Sequence, residues 1–123
     1  MTITKALEIT KEMMPAAVSE EQLLRWLSAL DGQIKLEIID THAGAEKIIF
    51  AGYDAQTDLD TALLAKPPYD EMYPYFLMAQ VLFANGEMEE YNVVAARYNE
   101  LYAAFAAYYN RTHMPVMSGG WRW

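Results

Sequence analysis

The run from Glu87 to Thr112 constrains this chain more than any other feature. Met88, Tyr91, Ala95, Tyr98, Tyr102, Phe105 and Tyr109 recur at alternating steps of three and four, which puts all seven on one side of an α-helix. Val94, Leu101 and Tyr108 widen that stripe, while Glu89, Glu90, Arg97, Glu100 and Arg111 fall elsewhere on the cylinder. No Pro or Gly interrupts the run, so the helix would extend roughly 39 Å at 1.5 Å per residue. A helix this long with so wide an apolar face must pack against other helices, its own or a neighbouring subunit's.

The other segments supply such partners. Residues 3–14 carry a rough apolar side of Ile3, Ala6, Leu7, Met13 and Met14, and Pro15 ends the helix. Ser19-Glu-Glu-Gln22 reads as a capping box, with two acids where the helix dipole is positive. The stripe that follows is Leu23, Leu27, Leu30, Ile34 and Ile38, flanked by Leu24 and Trp26, and should stop near His42–Gly44. Gly32 within it marks a close approach or a kink. Tyr69–Ala84 is a further helix, with Pro74 in its first turn and Tyr73, Phe76, Gln80 and Phe83 near one face. Asn85-Gly86 is a stop signal, so this helix and the long one should form an antiparallel hairpin.

Periodicity fails between Ala45 and Pro68. Lys47–Phe50 is β-branched and suits a short strand or tether, Tyr53–Asp60 is polar and rich in Asp, and Ala62–Ala65 suits one helical turn before Lys66-Pro67-Pro68. A connection this long in a small domain is usually functional or flexible, which makes it the candidate contact loop. After Pro115 the chain reads Val-Met-Ser-Gly-Gly-Trp-Arg-Trp. The expectation is therefore an all-α, small helical bundle over residues 1–115, with a long C-terminal helical hairpin, an extended loop around 45–68 and a flexible C-terminal arm at 116–123.

Composition bounds function mostly by exclusion. At 123 residues, 54% hydrophobic and 21% charged, the chain suits one ordered domain. Its nine Lys and Arg are scattered singly and the formal net charge is −8, which argues against gripping a phosphate backbone. The absence of cysteine removes disulfides, thiolate metal sites and thiol nucleophiles, and suits the cytoplasm. MTITKALEIT lacks the apolar core of a signal peptide. The apolar run Leu101–Tyr109 is only nine residues, too short to cross a bilayer, so no membrane association is expected.

No catalytic constellation stands out, and no cofactor is implied. His42 and His113 lie at helix ends, where the dipole favours a protonated imidazole. Asp40 with His42 lacks a third metal ligand, and Asp54, Asp58 and Asp60 lack the central Gly and closing Glu of a calcium loop. There is no phosphate-binding glycine loop, nucleophile elbow or HExxH. Glu89, Glu90 and Glu100 read as a solvated helix face, and the tyrosines as core or subunit interface. Trp121 and Trp123 stand apart. Exposed tryptophans at the end of an arm commonly anchor a partner's pocket; the alternatives are a disordered tail or an arm that folds back on its own subunit.

Two segments resemble a known family. KPPYDEMYPYFLMAQVLFANGEMEEYNVVAARYNELYAAFAAYYNRTHMP (66–115) is similar to small proteins of siphophages and prophages of low-GC Gram-positive bacteria, and SEEQLLRWLSALDGQIKLEIIDTH (19–42) resembles the first helices of that group. The shared features are the PPY entry, the Gly-Glu hairpin, Tyr91-Asn92 and the closing YYNRTHMP. The resemblance implies a head–tail connector, also called an adaptor or head-completion protein. It would be a non-enzymatic virion component, found in host cytoplasm during assembly. Copies would form a ring, dodecameric by the family's habit, below the portal protein and above a tail or head-closure protein. DNA would pass through the channel without specific binding, which a negative lining favours. Tyr53, Asp54, Asp58 and Asp60 are the candidate contact and channel residues of the loop, and Trp121 and Trp123 those of the arm. The rival expectation is a small helical protein–protein interaction or regulatory module that forms no ring.

Overall fold

The computed structural model describes residues 1–15 and 18–116. Among them are four α-helices: α1 (Ile3–Met13), α2 (Glu20–Glu37), α3 (Met72–Ala84) and α4 (Met88–Thr112). Short 3-10 turns at Ile39–Thr41, Ala45–Lys47 and Tyr69–Glu71 complete the helical content. The only β pairing among the described residues is two isolated bridges, Thr2 with Ala62 and His42 with Pro115. The fold is all-α.

Local chemistry sets the helix ends. Thr2 caps α1 by accepting from the Lys5 amide at 3.1 Å, and Ser19 caps α2 by accepting from the Gln22 amide at 3.1 Å. At the far end of α3, Gly86 has φ +74°, its N–H donates to Phe83 O (3.1 Å), and Glu87 N–H donates to Leu82 O (3.0 Å). That pair of bonds is a Schellman motif, and it reverses the chain into α4. Two ends differ from expectation. α2 stops at Glu37, not near His42–Gly44, because Ile38 leads into a 3-10 turn. The Tyr69 helix opens with a 3-10 turn before α3 proper.

The core is centred on α3. Met72, Tyr73, Pro74, Leu77, Met78, Ala79, Val81 and Leu82 are all buried, which is more than one face of a helix. The expected face was wrong at its end, since Phe83 is 58% exposed while Leu77 and Val81 fill the interior. α3 packs on α4, α1 and α2. α1 is held by Ile3, Ala6, Leu7 and Thr10 against this core, so it is a fixed element despite its length.

α4 is covered unevenly. Of its 25 residues only Leu101, Phe105 and Tyr109 are buried, all in the C-terminal half. Aromatic pairs still run the length of the hairpin: Phe83–Tyr91 at 5.5 Å, Phe76–Tyr98 at 5.2 Å and Tyr69–Phe105 at 5.9 Å between ring centres. The tyrosine stripe thus meets α3, but near the hairpin tip Met88 and Val93 remain outside.

The connection from Ala45 to Pro68 is a strap across α2 and the start of α1. Ala62–Ala65 is not a helical turn. The amides of Ile3 and Leu63 donate to Thr61 O (3.1 Å) and Met1 O (2.9 Å), so this segment spends its hydrogen bonds on the N-terminal residues instead. What approaches Gly32 is the strap and not another helix: a Cβ there would sit at ordinary contact distance, 3.5 Å, from Phe50 Cε2.

Candidate functional site

The strap is fastened by one buried carboxylate. Asp31 lies on the apolar side of α2, one helical turn from Leu27 and next to Leu30 and Ile34, and is fully buried. Tyr73 Oη donates to its Oδ1 at 2.6 Å. The Leu64 amide donates to Oδ2 at 3.1 Å, and Tyr53 Oη donates to the same oxygen. Tyr73 Oη also accepts from the Ala65 amide at 2.8 Å. One side chain of α2 therefore ties together α3 and both halves of the strap. Every hydrogen-bonding atom in the cluster has a partner, as buried polar groups require. Burial pushes the Asp31 carboxyl above its usual range, against three donors that pull it down. The charge at position 31 sits within the periodicity of an apolar stripe. That is the one sequence signal by which the cluster could have been found.

Tyr53 and Asp54 are brought to a common cavity of about 380 Å³ between the first turns of α2 and the strap. Leu24, Leu59, Ala55 and the Tyr53 ring form its apolar walls, and Glu20, Glu21, Asp54 and Arg25 line it as charges. The Tyr53 wall is held from three sides: by Asp31, by Ser28 Oγ accepting from its amide at 3.0 Å, and by the Phe50 ring edge at 5.1 Å. Asp54 Oδ1 accepts from the Gln56 amide at 2.9 Å, and Asp58 Oδ1 from the Asp60 amide at 2.9 Å. Those two aspartates shape consecutive turns. Asp54, Asp58 and Asp60 are all exposed, but Asp58 and Asp60 do not line the cavity. Trp121 and Trp123 lie outside the described residues.

A second polar cluster joins the C-terminal ends of α2 and α4. His42 is buried, with Nδ1 2.6 Å from Ile38 O and Nε2 2.8 Å from Asn110 Oδ1. Its ring meets Tyr109 edge-on at 4.9 Å, and Tyr109 stacks on His113 at 3.7 Å. Beyond α4 the chain pairs with the segment after α2: Ala43 N–H donates to Met114 O (2.7 Å) and Val116 N–H to Thr41 O (2.9 Å). Val116, expected to begin a free arm, is therefore tied down. His42 is a bridge between helices and not simply a charge at a helix end. Beside it lies a cavity of about 250 Å³ lined by Ile39, Phe105, Lys66 and His113 among others.

The hydrogen bonds of the Asp31 cluster are structural ones. The Asp31 oxygens are all occupied by fixed donors beneath the strap, and no group of three or more His, Asp or Glu is placed to hold a metal ion among the described residues. No described helix is long and apolar enough to cross a membrane. No protein-family model matches the chain, and neither does any curated protein or solved structure.

The tyrosines carry a pH signature. Burial pushes the hydroxyls of Tyr53, Tyr73, Tyr102 and Tyr109 up from their usual value, and that of Tyr98 to about 12. The carboxylates of Asp31 and Glu37 add to the effect at Tyr53 and Tyr73 and at Tyr98 and Tyr102 respectively. The folded state then keeps protons that the unfolded chain releases near pH 10. Stability from this source is complete below pH 10 and is lost as pH rises beyond it. Tyr73 alone should contribute a slope of about 1.4 kcal/mol per pH unit above 10, and the half-buried rings less. Urea midpoints measured against pH should stay level to about 10 and then drop, with tyrosinate absorbance appearing together with unfolding. Titration of all nine tyrosines in a still-folded protein would contradict this.

Proposed function

We propose that this chain is a non-catalytic structural subunit of a tailed-phage virion, a head–tail connector that assembles as a ring below the portal and extends the DNA channel toward the tail. The observation that carries the reading is the α3–α4 hairpin. Its inner half is packed into the subunit, while its outer half leaves Phe83, Met88 and Val93 uncovered at 58%, 44% and 72% exposure. Apolar side chains left exposed at one end of a helical hairpin are what a subunit can offer to a neighbour. Heterologous contacts of this kind close into rings when the rotation permits.

Charge supports the same reading. The net charge of −8 per copy multiplies around a ring, and Asp54, Asp58 and Asp60 stand exposed on one strap. Acids facing a channel would let DNA slide without being gripped. The motifs of segments 19–42 and 66–115 supply the phage assignment itself.

The test has two parts. The genes flanking this one should encode a portal and capsid protein upstream and tail proteins downstream. The chain, expressed with that portal protein, should co-elute with it as a discrete assembly of many copies by native mass spectrometry. Neighbours of another kind, together with a chain that stays monomeric in the presence of every flanking product, would overturn the connector in favour of a ring-less interaction module.

A further inference from the structure

We infer that the cavity between the start of α2 and the strap is the socket for residues 121–123 of a second copy of this chain. The socket is built before anything enters it. Tyr53 is fixed by Asp31 and Ser28, so its apolar wall does not have to form on binding. The volume of about 380 Å³ falls at the lower end of the range for ligand pockets and suits a bulky side chain rather than an extended surface. Leu24 and Leu59 offer the apolar floor.

The rim selects the occupant's charge. Glu20, Glu21 and Asp54 against Arg25 give −3 + 1 = −2 at the rim, or −1 once Lys11, which pairs with Glu20, is included. Asp58 and Asp60 deepen the negative field on the same strap. The segment that fits is apolar, aromatic and cationic. Trp121-Arg122-Trp123 has that composition: two indoles for the floor and a guanidinium for the carboxylates. The smaller cavity near the end of α4 is the wrong host, because its lining carries the cationic Lys66 and no carboxylate.

Reach favours a neighbouring copy as the source of the arm. Val116 is bonded to Thr41, beyond the C-terminal end of α2, whereas the socket sits at the N-terminal end. Ile38 and Leu24 are roughly 21 Å apart along the helix at 1.5 Å per residue. Trp121, five residues past Val116, extends at most about 18 Å from it. Trp123 gets to about 25 Å, so docking in its own subunit's socket would need the arm almost fully extended. A neighbouring copy has no such constraint. An arm leaving one end of α2 and a socket at the other end make a head-to-tail contact, the kind that builds rings or open chains. The inference deepens the connector reading and rests on it only for closure into a ring.

Complementation between full-length variants tests it. Trp121→Ala/Trp123→Ala removes the plug, and Ala55→Arg with Glu21→Lys blocks the socket at exposed positions without touching the core. Wild type should self-associate in sedimentation velocity at micromolar concentration. Each variant alone should associate about thirtyfold more weakly or worse, with unchanged circular dichroism. Mixed one to one, the two should recover a heterodimer that goes no further, because only one intact plug and one intact socket remain. Association of either variant at wild-type strength would overturn the socket, and so would failure of the mixture to pair or a wild type that stays monomeric. If the variants assemble into rings as wild type does, the socket fails and the ring stands. If the heterodimer forms but wild type grows into open chains, the socket stands and the ring fails.

Discussion

Asp31→Ala should lower unfolding free energy by about 3 kcal/mol at neutral pH, a sizeable fraction of a small domain's margin. The substitution strands the hydroxyl of Tyr73 and the amide of Leu64, both of which donate to this carboxylate. A buried donor left without an acceptor costs about 1–3 kcal/mol, and Tyr53, only half-buried, can turn to water instead. Removing a desolvated carboxylate offsets part of that loss. Asp31→Asn keeps the shape and one acceptor, so its cost should be nearer 1 kcal/mol. The two variants also differ in pH dependence. Burial raises the folded-state pKa of Asp31 above 3.8, so the contribution of this group is complete at lower pH and is lost as pH rises through the folded value. Asp31→Asn should therefore gain on wild type as pH climbs from about 4 toward neutral. Urea denaturation with m unchanged measures both effects, and hydrogen exchange should show the Leu64 and Ala65 amides losing protection. A loss below about 1 kcal/mol in Asp31→Ala would mean that the strap is held by packing alone.

How far the sequence could be read follows from how local each interaction is. Ser19 capping Gln22 and the Asn85-Gly86 reversal involve neighbours in the chain, and both appeared where the residues pointed. The face of α3 did not, because a helix apolar on nearly every side has no period to read: Leu77, Val81 and Leu82 are as buried as Tyr73. The segment 62–65 has helical composition, yet its amides answer to Met1 and Tyr73, partners that no local pattern reveals. The candidate site was legible in part for the same reason. A polar, aspartate-rich stretch announced an exposed strap, and Tyr53 and Asp54 do meet at a cavity. Asp31, which positions Tyr53, is separated from it by 22 residues, and a single aspartate on a helix carries no local mark of so distant a partner. Glu20 and Glu21 looked like dipole-complementing residues at a cap, and only the folded strap turns them into a rim.

Phe105→Ala should cost about 3–5 kcal/mol, and Val93→Ala less than about 0.5 kcal/mol, although both lie on the same helix. Amphipathic spacing already sets the two apart, because Phe105 belongs to the apolar stripe and Val93 lies off it, and the structure adds the depth of burial. Phe105 is 1% exposed, with Tyr69 at 5.9 Å and Tyr109 at 5.8 Å, so truncation opens a void beside two rings. Val93, near the hairpin tip, has almost no subunit contacts to lose. Its worth should appear elsewhere. If the outer half of the hairpin is an inter-subunit surface, Val93→Arg leaves the urea midpoint in place while assembly with neighbouring virion proteins weakens. Charge on an exposed helix face is tolerated by a monomer and resisted by a packed interface. Phe105→Ala should show the reverse, a subunit that unfolds early but assembles normally while folded. Equal stability losses at the two positions would mean that the outer half is already held within the subunit. The hairpin would then have no surface to offer, and the strap and its cavity would be left as the only candidate contact among the described residues.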